Sequence, residues 1–169
     1  PWVDLSTGIN PIPYPWQEKI PADILKEAAN RLPGKADFDN CRTAYARYLG
    51  CNSENIFLGA GSQAIIEKLP QLFLTSEVYI LGPTYREHEY SWDRVGHQIR
   101  YLPYGHESLS HIPEGKIVII TSPNNPDGQF IDRDSLYKFT CDYCRDKGKV
   151  IIDEAFMDLT PQNSLIQYD

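Results

Sequence analysis

Apolar residues recur along the chain in two rhythms. Short runs at 56–58, 78–81, 99–102, 117–121 and 150–152 are rich in β-branched residues. Runs this short, apolar through most of their length, predict strands buried on both faces, as in a parallel sheet. Between them the apolar positions fall three and four apart, the spacing of helices. That spacing predicts helices over 22–32, 38–49, 64–73, 86–95 and 132–147, with Pro33-Gly34 ending the first and Gly50 the second. Residues 104–115 read as a loop. Residues 1–21 carry Pro1, Pro11, Pro13, Pro15 and Pro21, a density that predicts an extended arm instead of a helix. The resulting order, β-α-β-α-β-β-α-β, is an α/β plan with no internal repeat.

Composition narrows the classes. The chain has 169 residues, 41% hydrophobic and 23% charged, enough for a sizeable core. Its net charge of −7, with no Lys or Arg run, argues against a nucleic-acid surface. No apolar stretch approaches membrane-spanning length. The start, Pro1-Trp2-Val3-Asp4, has neither Met nor a signal-peptide layout, so the natural beginning is expected to lie elsewhere. Of the four cysteines only Cys141 and Cys144 are spaced C-x-x-C, and no second pair or His completes a zinc site. They are expected to pack as small apolar groups in a reducing, cytoplasmic setting. His88, His97, His106 and His111 show no ligand spacing and read as surface residues. Tyr45 and Tyr48 read as core.

The candidate chemistry sits just after the predicted strands, where parallel sheets bind ligands. Ser122-Pro123-Asn124-Asn125-Pro126-Asp127-Gly128 follows one strand, and Asp153-Glu154-Ala155-Phe156 ends another. Asn125 and Asp153 would project there as an amide and an acid, a plausible cofactor cradle. An Asn-Pro turn and a helix-capping Asp explain the same residues. Gly59-Ala60-Gly61-Ser62-Gln63 opens a helix, and free N–H groups at such a turn suit a phosphate, as they suit a plain tight turn. Tyr85, past Gly82-Pro83-Thr84, could cover a flat ligand or simply pack. In the arm, Ser6-Thr7-Gly8-Ile9-Asn10-Pro11 would let backbone approach a ligand, though an arm that merely packs fits the pattern better. A Rossmann-like nucleotide site is disfavoured: the glycine turn lacks its third glycine and no acid ends the next strand at ribose spacing.

Taken in order, the arm motif, Gly59–Gln63, Ser122–Gly128 and Asp153–Phe156 resemble the amino-terminal half of fold-type I pyridoxal-phosphate enzymes of the class I/II aminotransferase group. Within it the chain is most similar to the threonine-phosphate decarboxylase branch, near histidinol-phosphate aminotransferases. The resemblance implies part of an aminotransferase-like large domain, a mostly parallel sheet flanked by helices, with an extended amino-terminal arm. Residues 1–32 would form the arm and first helix, and 33–169 the first portion of the cofactor-binding domain. It implies pyridoxal 5'-phosphate held by Gly61, Ser62, Gln63, Tyr85, Asn125 and Asp153, and substrate lined by Ser6, Gly8, Asn10 and Asn125. The implied reaction is decarboxylation of O-phospho-L-threonine to 1-amino-2-propanol phosphate in cobalamin biosynthesis, by a homodimer. Transamination of histidinol phosphate or an aromatic amino acid is the alternative, and a non-catalytic binding remnant is another.

The departures from the family pattern are specific. Gly8 stands where relatives carry Asn, and Leu32 where many carry a Tyr that reaches the partner's cofactor phosphate. Phe156 stands where aminotransferases have Tyr, and this favours the decarboxylase branch. The Schiff-base lysine of the family would lie beyond Asp169; Lys138, Lys147 and Lys149 do not fit it. No catalytic residue is therefore expected within these 169 residues, which alone would be inactive and poorly soluble.

Overall fold

A computed structural model describes residues 12–167. The chain divides into two compact units, Pro1–Ala44 and Tyr45–Asp169. In the first, the expected extended arm contains one helical turn, α1 (Trp16–Lys19), between Pro15 and Pro21. Proline is tolerated at both flanks because neither needs to donate an N–H within the turn. Helix α2 spans Ala22–Ala29, three residues shorter than expected, and buries none of its side chains. Helix α3 (Lys35–Leu49) begins three residues before the apolar pattern does. Asp37 in its first turn accepts the Gly34 N–H at 2.7 Å and hydrogen bonds from both terminal guanidinium nitrogens of Arg31, at 2.5 and 2.8 Å. Those contacts hold its carboxyl far below the usual aspartate range.

The second unit is built on a four-stranded sheet in the order β2-β1-β3-β4, all parallel. The strands are β1 (Glu77–Gly82), β2 (Gln98–Pro103), β3 (Ile117–Thr121) and β4 (Lys149–Asp153). Each contains one of the predicted apolar runs. The fifth predicted strand, 56–58, is not one: it is irregular chain, with Phe57 82% exposed. An apolar tripeptide becomes a strand only by pairing, and it has no partner among the described residues.

Alternation along the central strands splits the core in two. Val78, Ile80, Ile117 and Ile119 face one side, where they pack with Trp92 of α5 (Glu87–Asp93). Leu81, Val118 and Ile120 face the other, against Leu109 of the one-turn helix α6 (His106–Leu109) and Leu136 and Tyr143 of α7 (Arg133–Arg145). All five residues of β3 are buried, which is why its sequence carries no polar alternation. Asp132 caps α7 by accepting the Ser135 N–H at 3.0 Å. Gly148 follows that helix because any Cβ there would meet the Tyr143 ring at 2.2 Å. The Tyr143 hydroxyl donates to Pro113 O at 2.7 Å and so ties α7 to the loop before β3.

Two other expectations are corrected. Cys141 and Cys144 lie on exposed turns of α7 and are not packed as core thiols. Tyr45 and Tyr48 are about half exposed, with rings stacked at 6.1 Å. Tyr48 donates its hydroxyl to Asp158 at 2.9 Å instead of entering a core. No helix among the described residues is long and apolar enough to cross a membrane.

Candidate active site

The order β2-β1-β3-β4 creates a switch point between β1 and β3. The chain leaves β1 for α5 on one face and leaves β3 for α7 on the other. The carboxyl ends of strands beside such a point are where open parallel sheets bind ligands. The loop after β1 carries Tyr85, the loop after β3 carries Asn125, and Asp153 is the last residue of β4.

Asp153 shares the sheet face of Ile151, two residues earlier, and that face is covered by α5. From α5, His88 Nε2 meets Asp153 Oδ2 at 2.9 Å, and the Ala155 N–H donates to Oδ1 at 3.0 Å. Side-chain exposure is 3% for His88 and 12% for Asp153. Burial pushes the Asp153 carboxyl upward, but the hydrogen bonds from His88 and Ala155 and the electrostatic attraction of the His88 ring outweigh it. The group is held below the usual aspartate range. The result is a buried, ionised carboxylate with one donor on each oxygen and lone pairs left over.

His88 corrects the reading of that residue as surface, and His97 is buried as well; His106 and His111 are exposed as expected. The signal for His88 was present in the helical spacing. It lies three residues after Tyr85 and four before Trp92, on the stripe of α5 that faces the sheet.

Helix α4 (Gly61–Lys68) starts at Gly61, whose φ of +78° is a conformation that favours glycine. The Gly61 N–H donates to Gly59 O at 2.9 Å; no side chain caps this end, so the N–H groups of Ser62 and Gln63 remain available. Ser62, His88 and Asp153 share the wall of a cavity of about 800 Å³, whose apolar side includes Tyr45, Phe57, Ile65 and Met157. The Gln63 side chain is engaged elsewhere. Its Nε2 donates to Glu87 at 2.9 Å and Glu67 at 3.2 Å, and its Oε1 accepts from the Tyr85 hydroxyl at 3.3 Å. Only the main-chain N–H of Gln63 is left to meet an anion. The Tyr85 ring stands edge-on to His88, 6.2 Å between centroids. The structure thus gathers Ser62, Gln63, Tyr85, His88 and Asp153. Asn125 is half-buried on the neighbouring loop and does not line the cavity. Ser6, Gly8 and Asn10 lie outside the described residues.

The second acid of the motif has a different task. Glu154 accepts Ser164 Oγ at 2.6 Å and the Leu165 N–H at 2.9 Å, clamping the segment that follows the site. Among the described residues no group of three His, Cys, Asp or Glu side chains is placed to hold a metal.

The profile of the family described as aminotransferase class I and II matches residues 1–168. The chain belongs to that family. It is 37% identical over 164 residues to a threonine-phosphate decarboxylase of Pseudomonas aeruginosa, covering 97% of this chain and 46% of that protein. It is 30% identical over 131 residues to histidinol-phosphate aminotransferase 1 of Pasteurella multocida, covering 72% and 37%. The chain spans about half the length of the curated decarboxylases it matches. Its fold resembles the crystal structure of histidinol-phosphate aminotransferase from Clostridium acetobutylicum, with a TM-score of 0.75 and 24% identity over 98% of this chain and 51% of that one. The Sinorhizobium meliloti histidinol-phosphate aminotransferase, solved with pyridoxal-5'-phosphate, gives 0.62 at 19% identity over 75% and 37%.

Proposed function

We propose that these residues form the cofactor-cradling part of a pyridoxal-phosphate enzyme that decarboxylates O-phospho-L-threonine to 1-amino-2-propanol phosphate for cobalamin biosynthesis. The observation that carries this reading is Asp153: an ionised, buried carboxylate at a strand end, sharing a cavity wall with the uncapped start of α4. A buried carboxylate calls for a cationic partner, and an uncapped helix start calls for an anion. A pyridinium ring bearing a phosphate supplies both, so the residues present fit the cofactor.

In this reading Asp153 holds the proton on the ring nitrogen. His88 keeps the carboxylate oriented and ionised by donating to Oδ2. The N–H groups of Ser62 and Gln63 take the phosphate, Gly61 forms the turn that lets it approach, Tyr85 covers the ring face, and Asn125 donates to the phenolic oxygen. When bound, the cofactor supplies an electron sink for the pair left behind as carbon dioxide departs. Ser6, Gly8 and Asn10 line the substrate side. Residues 1–32 serve as arm and first helix, and 33–169 begin the cofactor domain. The exposed apolar rings of Tyr45, Tyr48 and Phe57 support a homodimer, and the setting is cytoplasmic.

The 37% identity to a decarboxylase and the Phe at position 156 support decarboxylation. The 30% identity to a histidinol-phosphate aminotransferase supports transamination as the second reading. The complete protein, loaded with cofactor, decides between them. Carbon dioxide release from O-phospho-L-threonine is the expected result. Consumption of 2-oxoglutarate with histidinol phosphate, and no carbon dioxide, would overturn it. Failure to take up cofactor at all would leave a non-catalytic binding module.

A further inference from the structure

The loops after β1 and β3 carry Tyr85 and Asn125, so the separation of the loops sets the spacing of those two side chains. The neighbouring residue, Asn124, is 3% exposed. Its Nδ2 donates to Pro83 O at 3.0 Å, across to the β1 loop, and to Asp127 Oδ1 at 2.9 Å, within its own loop. Both partners are acceptors, so the amide has one permitted orientation; turned over, its oxygen would face two oxygens. Its Oδ1 has no partner among the described residues, so the side chain acts through Nδ2 alone.

The β3 loop is otherwise braced from within. Asn124 N–H donates to Gln129 O at 2.7 Å, and Gly128 N–H to Asn124 O at 2.8 Å. Asp127 accepts the Gln129 N–H at 3.1 Å and Gln129 Nε2 at 3.0 Å. Those bonds shape the turn but do not locate it against β1. Among the described residues, the bond to Pro83 O is the side-chain hydrogen bond that joins the two loops, and Pro83 lies two residues before Tyr85.

We propose that Asn124 is a positioning residue: through Pro83 O it sets the Asn125 amide relative to the Tyr85 ring, while Asp127 serves only the turn. The proposal rests on the cofactor reading above and adds a residue to it. Asn124 touches neither cofactor nor substrate. Its effect is to fix in advance where the amide of Asn125 meets the cofactor's phenolic oxygen, which would otherwise have to be ordered at the moment of binding.

The test separates the cross-loop bond from the turn. Asn124→Asp places a carboxylate against Pro83 O and Asp127. The double exchange Asn124→Asp with Asp127→Asn turns the donor–acceptor pair within the loop around, but the Gln129 N–H loses its acceptor, because in the wild type Asp127 Oδ1 accepts both that N–H and Asn124 Nδ2. It leaves Pro83 O facing an anion. In the complete protein, the exchange is expected to recover part of the thermal stability lost by Asn124→Asp, the orphaned Gln129 N–H accounting for the rest. Its dissociation constant for pyridoxal phosphate should remain about tenfold weaker than wild type, and the pH titration of the bound cofactor's absorbance should shift. A milder pair guards against misfolding: Asp127→Ala should bind cofactor as wild type does, and Asn124→Ala about tenfold more weakly. Wild-type affinity and titration in the exchange variant, or equal losses in the two alanine variants, would overturn the proposal. A wild-type protein that takes up no pyridoxal phosphate would instead overturn the cofactor reading, and the role of Asn124 with it.

Discussion

Two histidines in this unit are equally buried, each 3% exposed, and sit at opposite ends of the sheet. His97 lies at the amino end, just before β2. Its Nδ1 accepts the Ser76 N–H at 3.2 Å and its Nε2 donates to Pro70 O at 3.2 Å, which fixes the neutral tautomer. The ring meets Trp92 edge-on, 4.7 Å between centroids. Both ring nitrogens are spent on main chain, and nothing is left for a ligand. His88, at the carboxyl end, has Asp153 as its partner, and that carboxylate keeps lone pairs directed at a cavity. Burial alone therefore does not mark a functional histidine. The partner does: a closed set of main-chain bonds makes a structural pin, and an ionised side chain with spare capacity makes a site.

The comparison can be broken most sharply at Asp153. In the complete enzyme, Asp153→Asn preserves shape and removes the charge, and the turnover number should fall on the order of 10²- to 10³-fold. A steady-state assay checks it; a loss under tenfold would make Asp153 no different in kind from His97's partners. His97→Ala should do the reverse. It orphans the Ser76 N–H and Pro70 O and opens space beside Trp92. Folding stability should drop by about 2–4 kcal/mol in a urea titration, with cofactor affinity per folded molecule unchanged.

A pH series sharpens the difference. The Asp153 carboxyl is depressed in the folded state, so its contribution to stability is present above the ordinary aspartate range and lost as pH falls through its folded value. Asp153→Asn should therefore be less stable than wild type near neutrality. The two proteins should converge in denaturation midpoint as pH drops below about 4. The smallest effect belongs to a residue remote from both histidines. Asp132→Ala removes the α7 cap and should cost about 1 kcal/mol, measured by denaturation, with turnover unaffected.

Much of this was legible before any coordinates. The apolar runs at 78–81, 99–102, 117–121 and 150–152 each seeded a strand, because a strand buried on both faces has little choice but to be apolar throughout. The loops after β1, β3 and β4 carried Tyr85, Ser122–Gly128 and Asp153–Phe156, within the residues 1–168 that the family profile matches. Where reading by pattern failed, local sequence had no means of reporting a partner. Residues 56–58 look like a strand and find no neighbour to pair with among the described residues. Tyr45 and Tyr48 follow helical spacing, yet their rings line a cavity wall. Cys141 and Cys144 are small and apolar in character, yet α7 turns them outward because Leu136 and Tyr143 already hold its inner face.

The sequence by itself thus determined the α/β class, the parallel character of the sheet and the residues from which a site could be built. Each follows from short-range rules: side-chain alternation, helical spacing and turn chemistry. Tertiary structure alone decided the strand order, and with it the switch point between β1 and β3. It also decided the two contacts that give the site its character. His88 and Asp153 are 65 residues apart, and Asn124 and Pro83 are 41 apart. Hydrogen bonds of that span arise only after the sheet has set its register. Until then a histidine on a helix and an asparagine in a turn are indistinguishable from their neighbours.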